Sequence, residues 1–168
     1  MMMMMNDDDE YYRYNAVAIL LNERTAKSVT SIEAHGDRAI RVKLRGQPTD
    51  IVVIQVYMPT TTHDDEEVEA MYNKLQDMIS KVKGTDYLII MGDWNAVVSE
   101  GKEEKNVEEY GLHQRNSRGC RLIEFCKQNQ LMVTNTWFKH EKRRRYTWKA
   151  PGDSARYQLD YILVRNRY

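Results

Sequence analysis

The chain has 168 residues, a length typical of one globular domain. Its 25 acidic and 25 basic side chains cancel, so net charge argues neither for nor against a nucleic-acid partner. No apolar run is long enough to span a membrane, and the methionine-rich start lacks the basic region and cleavage site of a signal peptide. We therefore expect an intracellular protein, nuclear or cytoplasmic, with no membrane partner. Residues 1–14 are expected to be disordered, and residues 15–168 to form the domain.

Two cysteines and four histidines are the residues that most often carry redox or zinc chemistry. Cys120 and Cys126 lie six positions apart in a predicted helix, so their side chains point to different sides of it and do not favour a disulfide. We therefore expect two reduced thiols. The histidines follow no metal-ligand spacing, and we expect each to be a loop or surface residue. The sequence also shows no small-molecule cofactor motif.

Strand patterns dominate the first third of the chain, in residues 15–21, 29–34, 39–44 and 50–57. The third of these segments alternates apolar and charged side chains, which predicts a strand with one face in solvent. The fourth is a continuous apolar run, which predicts a buried strand. Because proline cannot continue a central strand, Pro59 predicts that this strand ends at Tyr57.

The first long helix is predicted by apolar residues that recur every three or four positions from Val68 to Val82. Thr61 or Thr62 and the acidic residues that follow suit the start of this helix. Gly84 suits its end. The apolar stripe is typical of a helix that packs on a core.

The most informative segment is the apolar run 88–91, which ends at Gly92 and is followed by Asp93 and Asn95. Such a run predicts a buried strand, and glycine lets the backbone turn sharply and approach a ligand. Asp93 and Asn95 would then lie at the carboxyl end of the strand, where open α/β sheets usually bind ligands. A carboxylate beside an amide suits a phosphate and an attacking water. A plain strand-to-loop turn capped by Asp93 is an equal alternative.

The second half of the chain begins with a polar stretch, residues 99–118, whose length is typical of a functional loop. A second helix is predicted around residues 122–126, and three strands are predicted in residues 131–134, 145–148 and 158–164. Asp160 interrupts the last strand, and a buried carboxylate is costly unless it is paired. It therefore belongs either to an edge strand or to a polar site. Strands that alternate with helices predict an α/β fold.

Three short motifs resemble those of the endonuclease/exonuclease/phosphatase superfamily, which includes apurinic/apyrimidinic endonucleases, DNase I and the endonuclease domains of LINE-type retrotransposons. They follow the order found in that family: Tyr57-Met58-Pro59, Gly92-Asp93-Trp94-Asn95 and Leu159-Asp160-Tyr161. Other segments resemble its retrotransposon-derived branch: Gly111 to Gly119, Phe125-Cys126, Thr134 to Phe138 and Tyr146-Thr147-Trp148. The resemblance runs from about Ala16 to the last residue. It implies a two-sheet α/β sandwich of the DNase I-like type, with the site where the sheets meet.

The resemblance also implies a role for each matched polar residue. Asp93 would orient or activate an attacking water, and Asn95 would hold a phosphate oxygen or the nucleophile. Tyr57 would donate its hydroxyl to a phosphate oxygen. Asp160 would orient a neighbouring base or a ligand of the metal. Asn116 is a predicted phosphate contact, with helix N-capping as an equal alternative.

Magnesium is the cofactor that the resemblance implies, because hard oxygen ligands and phosphate suit Mg²⁺. Members of the family carry their main metal-binding glutamate on a strand before the segment that matches Ala16, and a Ser-Asp-His segment after the Leu-Asp-Tyr strand. This sequence has no counterpart of either. We therefore expect a domain truncated at both ends, and we assign no metal ligand.

A basic segment bears on nucleic-acid binding. Six Lys and Arg residues lie between positions 139 and 149, interleaved with aromatic residues. Basic and aromatic side chains together hold phosphates and stack on exposed bases. The predicted substrate contacts are Arg143, Arg144, Arg145 and Trp148. A solvated loop whose aromatic residues pack in the core is the alternative.

Three functions fit these observations. The first is a retrotransposon-derived, magnesium-dependent DNA endonuclease-like domain, impaired by loss of its terminal catalytic motifs. The second is a phosphatase of the same superfamily. The third is a catalytically inactive remnant that binds nucleic acid or protein. Unpaired strand edges in a truncated sheet also predict marginal stability or self-association.

Overall fold

A six-stranded mixed sheet organises the chain in the computed structural model, which describes residues 17–165. The spatial order of its strands is β1-β2-β3-β4-β8-β5. Their bounds are β1 Val29–Ala34, β2 Ala39–Leu44, β3 Ile51–Tyr57, β4 Tyr87–Asp93, β5 Leu131–Val133 and β8 Asp160–Arg165. A small second sheet pairs β6 Trp148–Lys149 with β7 Arg156–Tyr157. The helices are α1 Glu23–Ala26, α2 Asp65–Ser80 and α3 Ser117–Asn129.

Strand direction follows the connections. β1, β2 and β3 form an antiparallel meander, whereas β3 and β4 are parallel and are joined through α2. β8 then pairs antiparallel with both β4 and β5, so it lies inside the sheet. This mixed α/β arrangement of a large and a small sheet confirms the predicted fold class.

The main core is built from alternate strand positions and the two long helices. In β3, Val52, Ile54 and Val56 are fully buried, whereas the residues between them are only half-buried. These side chains share one apolar cluster with residues of α2 and α3. The α2–α3 contact is aromatic, since the ring centroids of Tyr72 and Phe125 lie 5.0 Å apart. The predicted core stripe of the first long helix is therefore confirmed.

Helix α2 begins later than the sequence predicted. The side chain of Asp64 accepts a hydrogen bond from the backbone N–H of Glu67 and caps the helix, so neither Thr61 nor Thr62 does. An aspartate there also places negative charge at the positive end of the helix dipole. The helix ends at Ser80, before Gly84.

Several sequence predictions are confirmed and several need correction. The strands predicted at residues 29–34 and 39–44 have the predicted bounds. Residues 17–21, the described part of the predicted first strand, form no strand, and the segment 1–14 lies outside the described residues. The strand predicted at residues 145–148 is reduced to β6, and β7 was not predicted. Both cysteines are free, and no helix in residues 17–165 is long and apolar enough to cross a membrane.

Candidate functional site

Three predicted site residues form a row at one end of the sheet. Tyr57 pairs with Asp93 across the parallel strands β3 and β4. Asp93 in turn pairs with Asp160, the first residue of the antiparallel strand β8. Paired residues on neighbouring strands point to the same face of a sheet. Asp160 is therefore not on an edge strand, and its part in a polar site beside Asp93 stays a prediction.

Gly92 makes this row possible. Its φ of 146° is unfavourable for any residue with a side chain. A Cβ added there would lie 1.8 Å from the carbonyl oxygen of Val56, far inside contact distance. Glycine therefore lets β4 lie close against β3 just before Asp93. The close approach that Gly92 makes is to a neighbouring strand, and its predicted approach to a ligand stays a prediction.

Asn95 is held beside Asp93 by the turn that follows β4. A carboxylate oxygen of Asp93 accepts the backbone N–H of Asn95 at 2.9 Å, and Asn95 adopts a left-handed backbone with φ 48°. The side-chain nitrogen of Asn95 donates to the carbonyl oxygen of Met58 at 2.8 Å. An amide nitrogen carries two donor hydrogens, so one remains for a ligand. The Asp-capped turn is therefore observed, and a ligand site formed by Asp93 and Asn95 stays a prediction.

Trp94 anchors the turn in the core. The side chain is only 1% exposed, and its Nε1–H donates to the carbonyl oxygen of Tyr161 at 3.3 Å. Its backbone N–H donates to the carbonyl oxygen of Leu159. Its ring also lies 6.2 Å from that of Phe125. A buried aromatic residue between Asp93 and Asn95 therefore fixes the two polar side chains on a rigid support.

The pKa of Asp93 lies above its ordinary value. Burial is the largest cause, because desolvation penalises the charged carboxylate. The hydrogen bond from the backbone of Asn95 opposes this shift, and the nearby charge of Asp160 adds to it. A carboxylate with a raised pKa is a stronger base than one in water, which suits a group that takes a proton from water.

Two residues position Asp160, and their roles were not predicted. The hydroxyl oxygen of Thr147 accepts the backbone N–H groups of Leu159 and Asp160 at 3.0 and 3.1 Å. The amide of Asn135 donates to the carbonyl oxygen of Asp160 and accepts the N–H of Ile162. Both residues lie in segments whose motifs resemble the retrotransposon-derived branch, which was the available signal.

The basic segment lies directly beside Asp160 because Thr147 belongs to it. The neighbouring Trp148 is 42% exposed, and its ring centroid is 6.1 Å from that of Tyr157. Exposed aromatic rings near a phosphate site suit base stacking. Thr147 therefore ties the basic and aromatic segment to the end of the carboxylate row.

Arg143 and Arg144 extend into solvent from a 3₁₀ turn. Their side chains are 73% and 71% exposed, and the charged group near both is Glu141. Exposed ion pairs contribute little free energy, so both guanidinium groups can exchange this partner for a phosphate.

Arg145 is held differently from its two neighbours. Its side chain is 11% exposed, and it donates to the carbonyl oxygens of His140 and Gly111. Its guanidinium carbon lies 5.5 Å from the ring centroid of Tyr110. This arrangement favours a structural role for Arg145, and its predicted contact with substrate stays a prediction.

Asn116 caps helix α3. Its side-chain oxygen accepts the backbone N–H of Gly119 at 2.8 Å and that of Val97 at 3.0 Å. The capping alternative is therefore observed, and it also ties the helix to the loop after Asn95. A phosphate contact through the amide nitrogen of Asn116 stays a prediction.

The donor set for a metal ion is small in this part of the chain. Within residues 17–165, no group of three or more His, Cys, Asp and Glu residues could hold a metal ion. Asp93 and Asp160 supply two carboxylates at the same position along the sheet. Mg²⁺ usually keeps several waters and uses one or two carboxylates together with substrate phosphates. Two carboxylates that a substrate phosphate would complete fit that mode, whereas an all-protein cage is not present in the described residues.

Two curated proteins are clearly similar to this chain. Craniofacial development protein 2 of Bos taurus is 40% identical over 156 residues, which cover 93% of this chain and 26% of the relative. The protein of the same name from Tragulus javanicus is 37% identical over 156 residues, covering 93% of this chain and 27% of the relative. The chain thus spans about a quarter of the length of these relatives. No family model matches the sequence.

Solved structures share the fold. The endonuclease domain of TRAS1, a telomere-specific non-LTR retrotransposon, matches 78% of this chain and 52% of its own, with a TM-score of 0.54 and 16% identity. TDP2 of D. rerio, complexed with single strand DNA product, matches 83% of this chain and 53% of its own, with a TM-score of 0.57 and 12% identity. The 3′ phosphatase NExo from Neisseria, bound to a product DNA hairpin, matches 79% of this chain and 54% of its own, with a TM-score of 0.55 and 16% identity. The sequence is therefore similar to part of craniofacial development protein 2, and its fold is shared with these endonuclease and phosphatase structures.

Proposed function

We propose that this chain is a retrotransposon-derived, DNA-directed phosphodiesterase domain of the endonuclease type that works with Mg²⁺. One observation carries the proposal: the row Tyr57–Asp93–Asp160 lies beside an exposed basic and aromatic segment. Hydrolysis of a phosphodiester needs a positioned water, charge neutralisation on the phosphoryl oxygens and assistance to the leaving oxygen. Asp93 can position the water and Tyr57 can donate to a phosphoryl oxygen, whereas charge neutralisation would come from Mg²⁺ held at the row. The basic segment supplies a surface for the nucleic-acid backbone.

Three structural neighbours support a nucleic acid as the substrate. They are a retrotransposon endonuclease domain, TDP2 in complex with single strand DNA product and NExo bound to a product DNA hairpin. Their sequence identities of 12–16% establish the fold only. The choice of DNA for this chain therefore rests on the exposed arginines and on Trp148, which suit phosphate contact and base stacking.

Asp93 is the proposed base. Its raised pKa and its position at the end of β4 suit a carboxylate that orients a water and accepts its proton. The free amide hydrogen of Asn95 would hold a phosphate oxygen or that water, and the hydroxyl of Tyr57 would donate to a second phosphate oxygen. Asp160 would hold Mg²⁺ together with the phosphate, which would leave Asp93 free to accept the proton. When bound, the ion would neutralise charge on the phosphoryl group.

A non-catalytic nucleic-acid-binding domain is the second candidate. The described residues contain only two carboxylates at the row and no three-member metal group, which favours this alternative. Catalytic residues act as a unit, so the absence of one member can remove most of the activity. Binding would survive in such a domain because phosphate contacts do not need the metal.

The test compares two substrates under the same conditions. The purified chain is incubated with a fluorescent DNA duplex or with an inositol phosphate, each with Mg²⁺ or with EDTA. We expect Mg²⁺-dependent cleavage of the duplex and no phosphate release from the inositol phosphate. Duplex binding without cleavage would overturn the proposed phosphodiesterase activity and favour the non-catalytic nucleic-acid-binding domain. Phosphate release from the inositol phosphate alone would indicate a phosphatase.

A further inference from the structure

Arg38 continues the carboxylate row on the side of Tyr57 that faces away from Asp93. Ala39 pairs with Val56, and the backbone N–H of Tyr57 donates to the carbonyl oxygen of Arg38 at 2.9 Å. The guanidinium carbon of Arg38 lies 5.3 Å from the centroid of the Tyr57 ring. Since neighbouring strands are about 4.8 Å apart, the backbone of Arg38 lies about 10 Å from that of Asp93.

The hydrogen-bonding partner of the Arg38 guanidinium is the imidazole of His63, which can itself carry an N–H donor on the facing nitrogen. Nη2 of Arg38 lies 3.1 Å from Nε2 of His63. On the other side of the imidazole ring, Nδ1 lies 3.1 Å from the backbone nitrogen of Thr60 and 2.8 Å from its hydroxyl. A backbone N–H can only donate, so it needs a lone pair on Nδ1, which puts the proton of a neutral ring on Nε2. Two donors then face each other between His63 and Arg38.

The other protonation states do not remove this conflict. If Nδ1 carries the proton, Nε2 can accept from Arg38, but the backbone N–H of Thr60 then faces an N–H group. If both ring nitrogens are protonated, Nδ1–H can donate to the hydroxyl oxygen of Thr60, but Nε2–H then faces Arg38 and the Thr60 amide faces an N–H group. In every state one donor near Arg38 and His63 therefore lacks an acceptor.

Arg38 has a second unsatisfied donor. Its Nη1 is buried and has no hydrogen-bond partner among the described residues. No carboxylate in residues 17–165 forms an ion pair with Arg38, and the nearby Asp65 is held by Arg118. The carboxylate of Glu67 lies 4.0 Å from Nε2 of His63, beyond hydrogen-bond distance, and its side chain is 56% exposed. Leaving charged donors unpaired is costly, so the cluster favours an anion with several acceptor oxygens.

We propose that Arg38 and His63 form a phosphate-binding subsite at the end of the Arg38–Tyr57–Asp93–Asp160 row. The anion would accept from the guanidinium of Arg38 and from Nε2–H of His63, which would end the conflict between facing donors. Naming this phosphate as the one adjacent to the reacting phosphate on a DNA strand rests on the proposed function. The affinity of the subsite for phosphate does not.

The first experiment follows the imidazole signals of the full chain by ¹H–¹⁵N NMR. Inorganic phosphate is added to the wild-type protein, with sodium chloride at matched ionic strength as the control. With four histidines in the chain, each ring can be assigned by substitution. We expect a saturable shift at His63 that chloride does not produce, and no such shift at the exposed His140. Equal responses at His63 to phosphate and chloride would overturn the proposal.

The second experiment measures DNA affinity in EDTA, which prevents cleavage. Arg38→Ala is compared with Arg45→Ala, which removes the same charge at the opposite end of β2, and thermal melting verifies that both are folded. We expect Arg38→Ala to weaken binding about tenfold or more and to lower the salt slope by about 0.9. Arg45→Ala should change affinity less than about twofold. Equal DNA affinities and equal salt slopes for the two variants would show that Arg38 does not contact a DNA phosphate.

The two experiments separate this inference from the proposed function. A phosphate-specific shift at His63 in a protein that binds no DNA would support the subsite and contradict the DNA-directed function. DNA binding and cleavage that are unaffected by Arg38→Ala, without a phosphate shift at His63, would support the function and overturn the subsite. Arg38→Lys keeps the charge but loses the planar fork, and we expect it to restore only part of the affinity.

Discussion

Replacement of Asn116 by alanine tests whether this side chain is chiefly a structural cap. The substitution removes one acceptor that serves two backbone donors, the N–H groups of Gly119 and Val97. Loss of an N-cap costs about 1 kcal/mol, and a second backbone N–H left without a partner costs about 1–3 kcal/mol. We therefore expect Asn116→Ala to lower the free energy of unfolding by about 2–4 kcal/mol. The thermal midpoint should fall by roughly 5–15 °C.

The matched variant is Asn116→Asp, which keeps an oxygen at the same position. It retains both acceptor bonds and adds a negative charge at the helix N-terminus, so we expect stability within about 0.5 kcal/mol of the wild type or slightly above it. Urea denaturation followed by circular dichroism measures both variants. An Asn116→Ala protein as stable as the wild type would refute the capping role. Weaker DNA binding by a fully stable Asn116→Asp would support the predicted phosphate contact as well.

Other variants test the row and its surroundings. Gly92→Ala places a Cβ against a carbonyl oxygen of β3, and we expect a loss of about 3 kcal/mol or more in urea denaturation. Gly36→Ala, at φ 70° in open space, should cost only about 1 kcal/mol. Asp93→Asn should stabilise the metal-free protein by about 0.5–1 kcal/mol at pH 7, because burial raises the pKa of the folded carboxyl. That gain in stability should disappear as the pH falls through the raised pKa of Asp93, because the folded carboxyl then takes up a proton. Equal gains at pH 7 and pH 4 would show that burial of the Asp93 charge is not the reason for the gain. The double variant Arg143→Ala/Arg144→Ala should lower the slope of log affinity against log salt concentration for duplex binding by up to about 1.8, without altering sequence preference. An unchanged slope would show that neither arginine contacts a phosphate.

Local patterns were enough to predict most of the sheet. Strands β1 and β2 have the predicted bounds, and the stop predicted from Pro59 is where β3 ends. The apolar run before Gly92 predicted β4, and the structure extends this strand to Asp93. These elements depend on apolar periodicity and on proline and glycine chemistry, which act over a few residues.

What the sequence did not predict depends on contacts between distant segments. The pairing of Asp93 with Asp160 is set by sheet register over 67 positions of the chain, and no local pattern encodes it. The support of Asp160 by Thr147 and the structural role of Arg145 likewise come from hydrogen bonds to other segments. Arg38 was missed because its neighbours in sequence give no sign that Tyr57 and His63 lie beside it.

Nicking of supercoiled plasmid tests Mg²⁺-dependent cleavage by this chain with high sensitivity, because one cleaved phosphodiester converts the plasmid to an open circle. The folded chain is incubated with plasmid in Mg²⁺ or EDTA, beside Asp93→Ala and a matched Asp77→Ala, which removes an exposed carboxylate from α2. We expect Mg²⁺-dependent nicking by the wild type and by Asp77→Ala, and loss of nicking in Asp93→Ala with DNA binding retained. Nicking that survives in Asp93→Ala, or a folded wild type that binds the plasmid and leaves it intact, would contradict the proposed function.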